Sequence, residues 1–142
     1  MQALQSPTSY TFPAQVIQLR PTSAPLTNVR TIDVYEPENL GLVISGPLGN
    51  EQFDYIRAAY EKKLELTTYP HLYLELHCCN RTSPQQIWDE LTHELKIMGD
   101  FCRIAIVRSA GADVNTGVLD VPGVIIHQFQ LADAEVAKQW LI

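Results

Sequence analysis

The sequence has few cysteines and few basic residues. Its 142 residues include three cysteines, and its 10 Lys and Arg face 16 Asp and Glu for a net charge of -6. Two of the cysteines, Cys78 and Cys79, are adjacent, and adjacent cysteines seldom pair because the small ring strains the peptide bond. The odd number and this spacing argue against a disulfide framework. We therefore expect a protein of the reducing cytoplasm.

The sequence also lacks any apolar run of about 18 residues, and its first residues lack the cationic and apolar segments of a signal peptide. The first 30 residues contain no acidic group, so all 16 carboxylates lie from Asp33 onward. An acidic body without clustered Lys and Arg is unsuited to the nucleic-acid backbone or to anionic lipid headgroups. We expect a soluble protein that binds no nucleic acid and stays where it is made.

The length is sufficient for one domain with its own core, since a chain of this size buries roughly 70% of its unfolded surface. Residues 1–30 hold four of the nine prolines among many Ser, Thr and Gln. That composition predicts a flexible arm. Within it, AQVIQL (residues 14–19) alternates in a way that would suit a short strand that forms on binding or docks on the edge of the domain. Residues 31–142 are predicted to form the domain.

Hydrophobic periodicity in this domain predicts strands that alternate with helices. TIDVYEP and LGLVISG are predicted to form a hairpin. A helix is then predicted from Asn50, which we expect to be its cap, with Phe53, Ile56, Ala59 or Tyr60, and Leu64 on the buried face. The later elements are predicted as a strand at 71–77, a helix at 84–98, strands at 103–109 and 124–129, and a helix at 131–141. This order predicts a single α/β domain with a mixed, mostly parallel sheet of about five strands flanked by helices.

The predicted helix at 84–98 has its own start signal and a clear apolar face. Ile87, Leu91, Leu95 and Met98 recur at helical spacing, with Trp88 beside them. Ser83, Pro84 and Gln86 supply a hydroxyl cap, a proline in the first position and an amide three residues after the cap, which together predict a capping box. The cap explains Ser83 without a role in phosphorylation.

The stretch LELHCCNRTSPQQIWDEL joins a predicted strand to this helix, which is where open α/β sheets bind ligands. Cys79 would lie near Arg81 and the helix N-terminus, a setting that lowers a thiol pKa, but we expect both adjacent cysteines to be inert, with one of them facing the core. No cysteine and histidine spacing suits zinc. Glu75 and His77 share strand parity, so they form either an acid–base pair or part of a solvated face. No known catalytic motif is present.

Together with this element order, three strings resemble the SpoIIAA-like family of bacterial proteins, whose STAS-like fold is related to anti-sigma-factor antagonists. They are IWDEL with Trp88, LKIMGDFCRIAIV at 95–107, and FQLADAEVAKQWL near the end. The resemblance covers about residues 31–142. It implies a mixed sheet flanked by helices in small cytoplasmic proteins, for which apolar-ligand binding and peripheral membrane association have been proposed.

Two stretches depart from the family pattern. The antagonists carry a phosphorylated serine within Asp-Ser-Ser-Gly at the strand-to-helix junction, whereas residues 80–84 read NRTSP here. After the strand that ends at Arg108, the family usually has a full helix. The corresponding residues 109–123 read SAGADVNTGVLDVPG, whose glycines and proline leave room for a turn or two.

From these features we expect a non-enzymatic STAS-like module that binds a protein partner or a small apolar ligand, with no cofactor and no metal. The binding surface is predicted at the 77–83 junction, Arg108 and the 109–123 loop. The candidate contact residues are His77, Cys79, Arg81, Ser83, Trp88 and Arg108. Two alternatives remain open: membrane association through Trp88 or the helix at 51–66, and a thiol-dependent or acid–base enzyme.

Overall fold

A computed structural model describes residues 28–77, 82–109, 113–117 and 123–142 of the chain. These residues form an α/β structure with a five-stranded mixed sheet and three helices. The strands are β1 (Val29–Ile32), β2 (Leu40–Ile44), β3 (Leu72–Leu76), β4 (Arg103–Arg108) and β5 (Ile125–Gln130), and the helices are α1 (Asn50–Leu64), α2 (Pro84–Glu94) and α3 (Ala134–Trp140). In the described part of the chain, no helix is long and apolar enough to span a membrane.

The strands lie in the sheet in the order in which they occur in the chain. β1 pairs antiparallel with β2, and β2 to β5 are all parallel. At the β1–β2 pairing a glycine is required, because a Cβ at Gly41 would lie 2.6 Å from the carbonyl oxygen of Ile32. The predicted α/β class and mixed, mostly parallel sheet are therefore confirmed.

The larger core fills the sheet face that α1 and α2 cover. Its centre is β3, where alternate leucines point to this face and are fully buried. The helices contribute side chains at helical spacing, and the chain between β4 and β5 adds Val114. The buried contributors from β3, α1 and α2 are Leu72, Leu74, Leu76, Phe53, Ile56, Tyr60, Ile87, Trp88 and Leu91.

The opposite face carries a smaller core, which packs under α3. Tyr73, Ala105 and Val107 line this face of the sheet, and Ala137 and Leu141 cover them. α3 is tied to β4 by Arg103, whose guanidinium donates to the carbonyl oxygen of Trp140 at 2.7 Å. α3 has only seven residues, so it covers the second face less completely than two helices cover the first.

The first hairpin begins earlier than the sequence predicted. β1 includes Val29 and Arg30, which the sequence analysis placed at the end of the arm, and it ends at Ile32. Tyr35 has a φ of 51°, which interrupts the extended chain after the strand. Asn39 stabilises the connection by donating its amide hydrogen to the carbonyl oxygen of Val34 at 3.2 Å.

Two predictions for α1 were wrong. The N-cap is Gly49, whose N–H donates to the Gln52 side chain at 2.7 Å, and Asn50 is the first helical residue. Leu64 is 41% exposed although its spacing fits the apolar stripe. It is the last helical residue, where the chain turns away before β3, so periodicity alone does not bury it.

The helix predicted at 84–98 ends at Glu94, four residues early. Lys96 has a φ of 58°, which an α-helix does not accommodate. Leu95 and Met98 remain buried because the chain continues over the same core in a short 3-10 turn, Met98–Asp100. The predicted apolar residues therefore reach the core, but not all from one helix.

Replacing a core leucine tests the position of β3. We expect Leu74→Ala to lower the free energy of unfolding by about 2–5 kcal/mol, because it leaves a cavity at a fully buried position. Leu66→Ala is the matched control, since Leu66 is 61% exposed, and should change it by about 0.5 kcal/mol or less. Urea denaturation measures both, and equal losses would contradict the assigned faces.

Candidate functional site

The carboxyl edge of the parallel strands contains most of the predicted site, but strand alternation divides it between two faces. His77 follows β3 and its N–H donates to the carbonyl oxygen of Ile44 at 2.9 Å. His77 shares the α3 face with Tyr73 and Glu75, whereas Arg108 pairs with Leu76 and points to the α2 face. The described site therefore consists of two separate polar groups.

On the α3 face, three side chains of β3 and its end form a hydrogen-bonded array, Tyr73–Glu75–His77. The Tyr73 hydroxyl donates to one carboxylate oxygen of Glu75 at 2.6 Å. The other oxygen lies 2.6 Å from Nε2 of His77. The Glu75 side chain is 15% exposed and that of His77 is 32% exposed. The carboxylate thus fixes the imidazole, which keeps partial access to solvent.

The surroundings of this array favour an ionised carboxylate beside a neutral phenol. Burial raises the pKa of Glu75, but the hydrogen bonds from Tyr73 and His77 and the charges of His77 and Lys138 together leave that pKa below its usual value. For Tyr73, burial and then the bond to Glu75 raise the pKa strongly. Lys138 of α3 lies 5.5 Å from the centre of the Tyr73 ring. The array is therefore a buried anion with donors on both oxygens.

On the α2 face, Arg108 at the end of β4 contacts two polar side chains. Its side chain is 8% exposed and forms an ion pair with Asp113. Its Nε also lies 3.4 Å from the amide oxygen of Gln128 on β5. A buried guanidinium requires such partners, because an unpaired charge in the interior is costly. Arg108 therefore connects the end of β4 to Asp113 and to β5.

Two glutamine side chains pair with the backbone of the same segment. Gln128 accepts from the N–H of Val114 at 2.8 Å and donates to its carbonyl oxygen at 2.6 Å. Gln85, in the first turn of α2, accepts from the N–H of Asn115 at 2.6 Å and donates to its carbonyl oxygen at 3.1 Å. Each side-chain amide thereby supplies the donor and the acceptor that the backbone of a neighbouring strand would otherwise supply. Residues 113–117 are fixed between β5 and α2, and Val114 is buried in the larger core.

Ser83 and Trp88 are both explained by the structure of α2. The Ser83 hydroxyl accepts from the N–H of Gln86 at 3.2 Å, so Ser83 is the N-cap as predicted, but the Gln86 side chain does not complete a capping box among the described residues. Trp88 is fully buried in the larger core, and its indole nitrogen has no hydrogen-bond partner among the described residues. In this conformation its side chain is therefore inaccessible to a partner.

The two remaining predicted residues, Cys79 and Arg81, lie outside the described residues. Cys102, the third cysteine, is a free thiol and partly buried. No group of three or more His, Cys, Asp and Glu in the described part of the chain is arranged to hold a metal ion.

Sequence reasoning did not identify Tyr73, Gln85 or Gln128 as part of the site, and it included Asp113 only as a member of the 109–123 loop. Tyr73 could have been predicted from the sequence, since Tyr73, Glu75 and His77 occur at alternate positions of one strand. The two glutamines gave no such signal. Their partners are backbone groups of residues distant in the chain, and only the tertiary structure selects them.

An open groove of about 820 Å³ runs along the outer side of α2, beside residues 113–117. Its lining residues are all of polar or charged types and include three carboxylates, those of Asp89, Glu90 and Glu94, with Lys96 at one end. A neighbouring depression adds Asn115 and Gly117 and shares Gln85 and Asp89 with the groove. The two depressions form one continuous surface, which we call the α2 surface.

Comparison of the chain with protein family models, with curated proteins and with solved structures finds no match. The SpoIIAA-like resemblance therefore stays a prediction.

The array predicts how acid affects stability. Because the pKa of Glu75 is lower in the folded protein, its ionised form stabilises the fold at neutral pH. That contribution is lost as the pH falls from about 4.3, the value for an unfolded glutamate, through the folded pKa. Between pH 7 and pH 3 we expect Glu75→Gln to lose less unfolding free energy than the wild type, measured by urea denaturation. Glu61→Gln, at an exposed site on α1, should behave as the wild type; equal losses in all three proteins would contradict the array.

Proposed function

We propose that this chain is a non-enzymatic STAS-like module that binds a protein partner through the α2 surface. The observed order of elements is consistent with the STAS-like part of the proposal: a hairpin, repeated helix–strand units and a final helix. The α2 surface includes Ser83, Asn115 and Gly117, which fall within the surface predicted from the sequence.

The observation that carries the proposal is the fixed position of residues 113–117. Gln85 and Gln128 pair with both backbone groups of Asn115 and Val114, so this loop is held against α2. A preformed surface binds with a smaller entropic cost than a loop that has to be ordered on association. A buried arginine and two glutamine amides contact this segment. So many side-chain contacts suit a recognition surface better than a segment that only joins two strands.

The charge of the α2 surface suggests the chemistry of the partner. Asp89 and Glu94 are exposed along the groove, and Glu90 lines it between them. Complementary charge directs protein association and disfavours partners of like sign. The expected partner therefore presents a basic segment to the outer side of α2.

A small apolar ligand is the less favoured occupant. Apolar ligands bind in concave sites that enclose most of their surface. The α2 surface is open and has carboxylates and amides in its lining. Membrane association is likewise weakened, because Trp88, one of its two predicted contacts, is fully buried. Flotation with neutral and anionic liposomes tests what remains of that alternative, the outer face of α1.

One observation favours a second candidate function, acid–base catalysis. Glu75 fixes His77 through a 2.6 Å contact, and the imidazole is partly exposed at the carboxyl edge of the sheet. This is the arrangement in which a carboxylate orients a histidine base. Substrate turnover that is abolished by His77→Ala would overturn the non-enzymatic proposal and establish this one.

The proposed surface predicts the effect of charge reversal. We expect Asp89→Lys/Glu94→Lys to weaken binding of the partner about tenfold or more, because two attractive contacts become repulsive. Glu51→Lys/Glu61→Lys makes the same change in net charge at exposed positions of α1 and should retain binding. Affinity capture by the three immobilised proteins, quantified by mass spectrometry, identifies candidates, and titration of the purified candidate gives the affinities. Equal losses in both variants would contradict the α2 surface.

A further inference from the structure

The two outer strands of the described sheet differ in how their edges are protected. β1 has four residues, carries the charged Arg30, and has one of its N–H groups, that of Thr31, covered by the Tyr55 hydroxyl at 3.3 Å. β5 has six residues, and none of them is buried. From 124 to 130 the chain reads VIIHQFQ, without Lys, Arg, Asp, Glu or Pro. β5 therefore lacks the charged residues and prolines that usually protect an outer strand.

The free edge of β5 presents a regular set of backbone groups. The N–H of Ile125 donates to the carbonyl oxygen of Cys102 at 3.0 Å, toward β4. Strand alternation then directs the N–H and C=O groups of Ile126, Gln128 and Gln130 away from β4. The carbonyl oxygen of Gln130 caps the 3-10 turn Leu131–Asp133, and no other described residue forms a backbone hydrogen bond with the groups of Ile126 and Gln128 or with the N–H of Gln130. They constitute a template for one more strand.

We propose that β5 pairs antiparallel with β5 of a second copy of this chain, with the twofold axis at Gln128. In this register the N–H of Gln130 faces the carbonyl oxygen of the partner's Ile126, and Gln128 faces its own copy. On the α3 face, His127 lies opposite the partner's Phe129. Aromatic pairs at directly opposed positions stabilise antiparallel strands.

The distribution of charge limits where two copies of this chain can meet. The chain has a net charge of -6, so two copies repel each other over most of their surface. β5 is free of acidic and basic residues, and self-pairing therefore opposes no like charges along the strand. Apolar side chains would also be covered, since Ile125 is 51% exposed and lies beside the exposed His127 on the α3 face. The two sheets would join into one of ten described strands.

Gln130 offers a variant that blocks pairing and leaves β5 in place. Its φ is -79°, which proline adopts, and its outward N–H makes no bond to β4. We expect Gln130→Pro to raise the dimer dissociation constant at least tenfold, because it removes two symmetric hydrogen bonds and places a ring in the interface. Gln130→Ala keeps the N–H and should associate as the wild type.

Sedimentation velocity of the full chain over a wide concentration range measures the constants, and circular dichroism with urea denaturation verifies that each variant is folded. A second variant tests the register: His127→Cys/Phe129→Cys should form a disulfide-linked dimer on mild oxidation, and mapping of the linked peptides identifies the bonded cysteines.

A wild type that stays monomeric overturns the proposal. In that case, slow amide exchange at Ile126, Gln128 and Gln130 would indicate that another segment of the same chain, such as residues 14–19, covers the edge. A dimer unaffected by Gln130→Pro also overturns it.

Discussion

The hand of the connections between parallel strands is the constraint on which the rest of this structure depends. β2 to β5 are laid down in chain order, and crossovers of a single hand place every connection on one face of the sheet. α1, α2 and residues 113–117 all lie on that face and build the larger core. The chain then has only α3 to cover the opposite face. The unequal cores and the exposed last strand both follow from this order.

The same constraint explains why the polar groups at the carboxyl edge form two separate sets. Side chains alternate along β3 and β4, so Glu75 and His77 face α3 whereas Arg108 faces the helical layer. Under the short α3, a carboxylate can be satisfied by its strand neighbours and remain near solvent. Beneath α2, Arg108 has to be paired, and it connects β4 to Asp113 and to Gln128 of β5.

Much of the fold could be predicted from the sequence because its signals are local. The cap at Ser83, the apolar stripe of α2 and the alternation of β3 each depend on a few consecutive residues. The errors occur where the backbone leaves a regular conformation, as at Lys96, or where a glycine replaces the expected cap. The glutamine pairings were beyond prediction, since an amide side chain can pair with any backbone peptide it reaches. Their partners are 14 and 30 residues away in the chain.

The two tryptophans of the chain are distributed between the two cores. Trp88 lies fully buried between α2 and the sheet. Trp140 has polar neighbours instead. Its ring is stacked on His127 with centroids 4.5 Å apart, and the Arg103 guanidinium lies 5.4 Å from its centre. The protein therefore contains two intrinsic fluorophores, one in an apolar interior and one beside quenching polar groups. Their emission distinguishes loosening of the α3 layer from loss of the main core, so the chain reports on its own two layers without an attached label.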